Sequence, residues 1–263
     1  MPPLSTHNEK VVDQHQQQAP GYARLTRSVS AEDRRARLRA MIDVQADDIL
    51  LDVACGPGSL ALDLAPYVAR TIGFDITPAM LDQARKAQAE RAVANIEWIA
   101  GDAANLPFDD GSFSIVASSA AFHHMEAPDR VLREMARVCR AGGRIVVIDV
   151  TPEEEKAASY DGIEHMRDPS HRHAHSVEEL AALGARLGLG RPLVETSLTG
   201  PIPFEAILAT SHPEECSREQ LLEMMREDAA SEQDRLGFRA ELKDGLVLVT
   251  YLMSTLRWTK PPR

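Results

Sequence analysis

Cysteine is nearly absent from this chain. Its three thiols, Cys55, Cys139 and Cys216, are odd in number and form no C-x-x-C pair. Neither a disulfide framework nor a zinc site is indicated, and the expected setting is a reduced cytoplasm. Long apolar runs are missing as well. None approaches the ~20 residues that span a bilayer, and polar residues 1–18 hold no signal-peptide core, so no membrane partner is expected. Positive charge is scarce: 29 Lys and Arg face 40 Asp and Glu, a net charge of −11. One basic run stands out, Arg34-Arg35-Ala36-Arg37-Leu38-Arg39. With Leu38 and Met41 interleaved, it reads as the solvated side of an amphipathic helix. A nucleic-acid partner, which needs a face of phosphate-neutralising cations, is therefore disfavoured.

What is there is enough for one core: 263 residues, 44% hydrophobic and 26% charged. The most informative stretch is LLDVACGPGSLA, residues 50–61. Ile49, Leu50, Leu51 and Val53 suit a strand buried on both faces. The run stops at Cys55-Gly56-Pro57-Gly58, a turn whose glycines let backbone approach a ligand. Ser59 follows as a candidate N-cap, with Leu60, Leu64 and Val68 at helical spacing. Strand, glycine turn and helix together form the nucleotide-type binding unit of doubly wound α/β proteins.

Two ligands compete for that turn. Residues 56–61 satisfy G-x-G-x-x-A, and Asp75 lies 23 residues beyond Asp52, as a dinucleotide site requires. Asp52, however, sits at the end of its strand, where a charge needs a partner. A cationic ammonium supplies one and a pyrophosphate repels it. A further strand, residues 95–99, ends in Gly101-Asp102-Ala103, where an acid can accept from an adenine amine. Acids at three successive strand ends fit a cationic adenosyl ligand better than an anionic dinucleotide.

Several phrases occur in a telling order: LDVACGPG, GFDITPAMLDQA, GDAANLPFDDGSFSIV, AAFHHM and EMARVCRAGGRIVVIDV. Taken together they resemble the class I S-adenosylmethionine-dependent methyltransferases, and most of all their small-molecule, quinone-methyltransferase-like branch. The resemblance runs from about Tyr22 to Leu189. RDPSH, residues 167–171, narrows it to a subgroup carrying that phrase. Ala54 departs from the glycine that many members hold, adding one methyl to the pocket. The resemblance implies a Rossmann-like, mostly parallel seven-stranded sheet with S-adenosyl-L-methionine as cofactor. It assigns Asp52, Ala54, Gly56 and Gly58 to the methionine part, Asp75 to the ribose, and Asp102 with Ala103 to the adenine. Ile76 and Met80 are placed to sandwich the ring, and Tyr22 and Ser119 complete the cofactor set.

The pattern along the chain agrees. Strands are expected at 49–54, 70–75, 95–99, 113–119 and 143–150, with helices at 31–44, 59–68, 78–92 and 129–140. This alternation predicts a parallel sheet covered by helices on both faces. Residues 1–30 are expected as a lid or flexible segment, and 31–263 as the methyltransferase domain. Cap insertions are expected near 152–176 and 201–240, with a helix at 177–187, helical structure at 204–236 and edge strands at 192–199 and 246–254.

Methyl transfer is an in-line displacement, so positioning and exclusion of water do much of the work. An acceptor hydroxyl or acidic carbon also needs its proton removed. His123 and His124 follow the fourth strand at the ligand-binding edge of the sheet. The expected base is His124, with His123 second and on the substrate side, and Tyr22 is the candidate tyrosine partner. The alternative role for the pair is helix capping. His171, His173 and His175 would share one side of an extended segment and could bind a metal, but Pro169 and the polarity favour an irregular loop, and no metal is expected. Arg167, Asp168 and His171 are assigned to a substrate-facing wall. The expected function is methyl transfer to a small molecule. A non-catalytic adenosylmethionine or adenosylhomocysteine sensor is the alternative and an NAD-dependent oxidoreductase the third reading; a homodimer is compatible with all three.

Overall fold

Side chains that alternate across a strand and are apolar on both sides call for cover on both sides. The computed structural model of the chain describes residues 4–28 and 32–262. In it, β1 (Ile49–Val53) sends Leu50 into one core cluster and Leu51 and Val53 into another across the sheet. With β2 (Arg70–Asp75), β3 (Ile96–Ala100), β4 (Phe113–Ser119) and β5 (Cys139–Val150) it forms a parallel sheet. The remaining strands are β6 (Leu193–Leu198), β7 (Ile202–Pro203), β8 (Glu241–Lys243), β9 (Leu246–Val249) and β10 (Leu252–Thr259). The order across the main sheet is β3-β2-β1-β4-β5-β10-β6, and β10 runs antiparallel to both neighbours. Strand order reverses between β1 and β4, which opens a crevice at their carboxyl ends.

The helices are α1 (Thr6–Ser28), α2 (Glu32–Ile42), α3 (Ser59–Leu64), α4 (Pro78–Glu90), α5 (Pro128–Val138), α6 (Ala157–Arg167), α7 (Val177–Arg186), α8 (Phe204–Leu208) and α9 (Arg218–Ser231). Val131, Leu132, Met135 and Val138 of α5 and Leu180 and Leu183 of α7 bury one sheet face around Trp258. Ile42 of α2 and Leu60 and Leu64 of α3 bury the other. The basic run lies on α2, where Leu38 packs on that second cluster and the Arg39 guanidinium sits 4.1 Å from the Tyr67 ring centroid. No helix of the described residues is long and apolar enough to cross a membrane.

Two stretches differ from expectation, residues 246–254 and the N-terminal segment. Residues 246–254 divide: β9 joins β7 and β8 in a separate three-stranded sheet, while β10 enters the main sheet as an inner strand, leaving β6 at the edge. Residues 152–176, expected as a loop or short-helix insertion, hold the short helix α6 followed by irregular chain, in keeping with that reading. The N-terminal segment is helical over Thr6–Ser28 and lies beside α4. A cap made of α6, α8, α9 and the small sheet carries its own core around Tyr160, Phe204, Met225 and Phe238. The Tyr160 and Phe238 rings stack at 4.6 Å.

Candidate active site

A cavity of about 1100 Å³ opens at the switch point, over the carboxyl ends of β1, β2 and β4. At one end the chain turns sharply after β1. Ala54, Gly56 and Gly58 all take left-handed backbone, with φ of +54°, +54° and +79°. Ala54, Gly56, Pro57 and Ser59 line the cavity. Gly58 does not, which corrects its assignment to the ligand. A Cβ there would meet the Trp98 indole at 2.3 Å, so packing of the turn against β3 is what demands glycine. Gly58, not Ser59, is also the N-cap of α3.

The three acids converge as expected. Asp52 is buried; its Oδ2 accepts from the Ala61 amide at 3.0 Å and its Oδ1 has no partner. Burial pushes its carboxyl up to about 8. Asp75 accepts from the amides of Gly56 at 2.7 Å and Thr77 at 2.8 Å, one on each oxygen. Burial raises its pKa as well. Each of these oxygens keeps a second lone pair for a ligand hydroxyl. Asp102 accepts from the Ala104 amide at 2.9 Å. Asp102, Ala103, Ile76, Met80 and Ser119 all face the cavity. An unpartnered buried carboxylate oxygen beside two further acids, over a turn of exposed backbone, fits the cationic, hydroxyl-bearing and amine-bearing parts of S-adenosylmethionine.

Over this end lies α1. Asn8, Val11, His15, Gln18 and Tyr22, at spacings of three and four, put one helix face on the cavity. Asn8 reaches Asp102 at 3.5 Å, the His7 Nε2–H donates to the His124 carbonyl at 2.7 Å, and Gln18 donates to Asp168 at 2.8 Å. Burial raises the Tyr22 hydroxyl above the usual tyrosine range.

A turn of 3-10 helix after β4, Phe122–His124, presents both histidines to the cavity. They differ in company. His123 Nδ1 lies 2.6 Å from Asp149 Oδ1. Burial disfavours its imidazolium, but the adjacent Asp149 carboxylate more than reverses this, and its pKa stands above the ordinary value. His124 has the opposite balance. Burial first, then the nearby His123 and His15, hold it well below that value. Its Nδ1 lies 3.1 Å from Ser170 Oγ.

The expected substrate wall is only partly on the cavity. Arg167 and Asp168 line it. The Arg167 guanidinium pairs with Glu164, donates to Ser211 at 3.1 Å, and is half-buried. Burial would raise Asp168, but His124, Arg167 and His15 and the Gln18 bond draw it well below the carboxylate range. His171 is 1% exposed, does not line the cavity and reaches Asp161 at 2.7 Å, so its place in the wall is corrected to a support beneath it. His173 shares Asp161 through its other oxygen and also meets Glu179.

Sequence reasoning missed His15, Gln18, Asp149, Tyr160, Glu164, Ser170 and Tyr251. For the first two a signal existed in the helical spacing of α1. The others come together only through distant segments. Tyr160, Ile202, Ile207, Tyr251 and Met253 complete an apolar and aromatic far end of the cavity, around the neutralised Glu164–Arg167 pair.

Comparison with known proteins fits this geometry. Residues 51–147 match the family described as a methyltransferase domain. The uncharacterised methyltransferase YcgJ of Bacillus subtilis is 34% identical over 143 residues, 54% of this chain and 56% of that protein. Demethylmenaquinone methyltransferase of Thermus thermophilus is 37% identical over 140 residues, 51% of this chain and 63% of that enzyme. The chain thus spans little more than half the length of these curated relatives. Among solved structures, YcgJ superposes with a TM-score of 0.74 at 24% identity, covering 89% of this chain and all of that one. The [4+2]-cyclase SpnF superposes at 0.64 and 18% identity, covering 99% and 98%. These two likenesses concern the fold alone. Family match, sheet order and acid-lined turn agree with a methyltransferase domain over residues 51–147 of this chain.

Proposed function

We propose that this protein moves a methyl group from S-adenosylmethionine to a small-molecule acceptor, with His124 taking the acceptor's proton. The observation that carries the reading is the meeting, in one cavity, of three strand-end acids with a neutral imidazole. Asp52, with its free oxygen, would hold the cationic methionine part over the turn at Ala54 and Gly56. Asp75 would take the ribose hydroxyls, and Asp102 and Ala103 the adenine edge, with Ile76 and Met80 against its faces. Ser119 and Tyr22 would close the remaining sides. When bound, the cofactor supplies an electrophilic methyl on a positively charged sulfur.

The chain's own part is orientation and proton handling. The α1 face excludes water over the cofactor end. His124, kept neutral by burial and by its histidine neighbours, has a lone pair available at neutral pH. His123 leans on Asp149 and retains its proton more readily, so it suits a hydrogen-bond donor to the acceptor rather than a base. The cap, comprising the segments near 152–176 and 201–240 on the 31–263 domain, would form the acceptor pocket. Its apolar and aromatic lining and internally paired Arg167 favour an uncharged, lipophilic acceptor. The cytoplasm is the proposed setting, in keeping with three free thiols. Calorimetric titration of the purified protein with S-adenosylmethionine and with NAD tests the reading: one-to-one binding of the first is expected. Binding of NAD alone would replace it with the oxidoreductase reading.

A further inference from the structure

The phrase RDPSH ends in a hydrogen-bonded chain that leads to His124. Ser170 is completely buried. Its hydroxyl donates to Asp168 Oδ1 at 2.6 Å, and its amide donates to the same oxygen at 2.9 Å. The other oxygen, Asp168 Oδ2, accepts from Gln18 of α1 at 2.8 Å. A serine hydroxyl has one proton. With that proton given to an anionic carboxylate, Ser170 Oγ can only accept from His124 Nδ1, 3.1 Å away. The imidazole must then carry its proton on Nδ1 and its lone pair on Nε2.

From this chain of bonds we infer that Ser170 and Asp168 are positioning residues, fixing His124 in the tautomer whose Nε2 is the free basic nitrogen. The inference rests on the reading of His124 as the base. It also explains why the segment is fastened so firmly beneath the histidine pair. The amides of Arg172 and His173 donate to the His123 carbonyl at 2.8 and 3.2 Å, and His171 is anchored to Asp161. The ring has little freedom to turn over, because His15 meets it edge-to-face at 4.7 Å and His123 lies tilted against it at 4.3 Å. Gln18 ties the carboxylate to α1, so the helix that covers the cofactor end also completes the device that orients the base.

One other arrangement would use the same atoms. His15, His124 and Asp168 bring ligand atoms within 4.8 Å of one another, and a metal ion could draw them together. Both lone pairs of Asp168 Oδ1 are taken by Ser170, and Oδ2 keeps one beside the Gln18 bond, so the hydrogen-bonded chain uses the carboxylate more fully than an ion would.

Nitrogen-15 NMR of the histidine-labelled full-length protein decides the matter, with the His124 ring assigned by His124→Gln. At pH 7 the wild type is expected to show His124 protonated at Nδ1 and bare at Nε2. Ser170→Ala is expected to move the tautomer ratio toward Nε2–H by about three- to tenfold, and to lower kcat in proportion to the Nδ1–H fraction lost, with cofactor affinity and KM unchanged. Wild-type protonation at Nε2 would overturn the assignment, and this measurement stands even where the variant fails to fold. Stoichiometric metal in the purified protein, lost on His15→Ala, would overturn it too. A switched tautomer with unchanged kcat in Ser170→Ala would deny the pair its positioning role. Unchanged turnover in His124→Ala with the wild-type tautomer as stated would instead fail the base reading alone.

Discussion

The two ends of the cavity are built by different means. The end proposed for the cofactor draws chiefly on one stretch, residues 52–103, in which three successive strands each deliver an acid beside a left-handed turn, with Ser119 at its side and α1 running across it and on over the other end. The acceptor end draws on α1, the turn after β4, α6, the cap and the start of β10, segments separated by more than two hundred residues of chain. A site written in local geometry has its chemistry fixed by the fold. A site assembled from distant segments can change one segment at a time, so specificity belongs there.

Substitutions can break this division or sharpen it. The largest effect is expected at the acceptor end. His124→Ala should lower turnover by about 10²–10⁴-fold while leaving S-adenosylmethionine affinity near wild type, and His123→Ala should do less. Loss of both turnover and cofactor binding in His124→Ala would show that the two ends are one unit. At the cofactor end, Asp75→Asn halves the acceptor capacity shared by Gly56, Thr77 and the ribose. A rise of about tenfold in Kd, measured calorimetrically, is expected from the loss of one charge-assisted bond.

Protonation separates the ends further. His124 works as a base only when neutral, and its pKa lies below the ordinary 6.5. Turnover should therefore rise with pH through a limb on the acid side of that value and be flat at neutrality. The limb should vanish in His124→Ala. Asp52, held near 8, is largely protonated at pH 7 without ligand. A cation binding beside it favours the ionised form, so cofactor binding should release a proton below pH 8. A binding enthalpy that varies with the ionisation heat of the buffer is the sign of it, and affinity should climb severalfold between pH 6 and 8. Independence of both would remove Asp52 from contact with the charge.

Two smaller expectations complete the set. Chelator treatment should leave turnover unchanged, since no step asked of these residues needs a metal. Ala54→Gly should relieve the left-handed strain at φ +54° and stabilise the protein by about 0.5–1 kcal/mol net of the added chain entropy. Thermal unfolding should shift upward by about 2 °C. A fall instead would mean that the alanine methyl packs usefully on the turn.

How far the sequence could be read follows the same division. Asp52, Asp75 and Asp102 were legible because each stands at the end of an apolar run, and a strand end has one direction to face. Gly58 misled because the turn pattern assigns its glycines to the ligand, while Trp98, forty residues further on, occupies the space beside it. His171 misled similarly: its partner Asp161 lies on a helix hidden in a stretch of polar sequence. The N-terminal helix was concealed by composition, because its cavity face holds Asn8, His15, Gln18 and Tyr22 with Val11 as the single aliphatic among them. Ser170 carries no signal in a single sequence, since its role exists only through a carboxylate and an imidazole that the fold brings to it.

The position of β10 has a consequence for how the molecule comes into being. Residues 252–259 separate β5 from β6, so the edge strand has no neighbour to pair with until the chain has been made to residue 259. During synthesis the five parallel strands can zip together while β6, apolar at Leu193, Val194 and Leu198, waits unpaired. Tyr251 and Met253 reach the cavity from the same final segment. An acceptor pocket cannot close on a nascent chain that already has its cofactor turn, and closure of this long-range pairing is expected to be the slow step of folding.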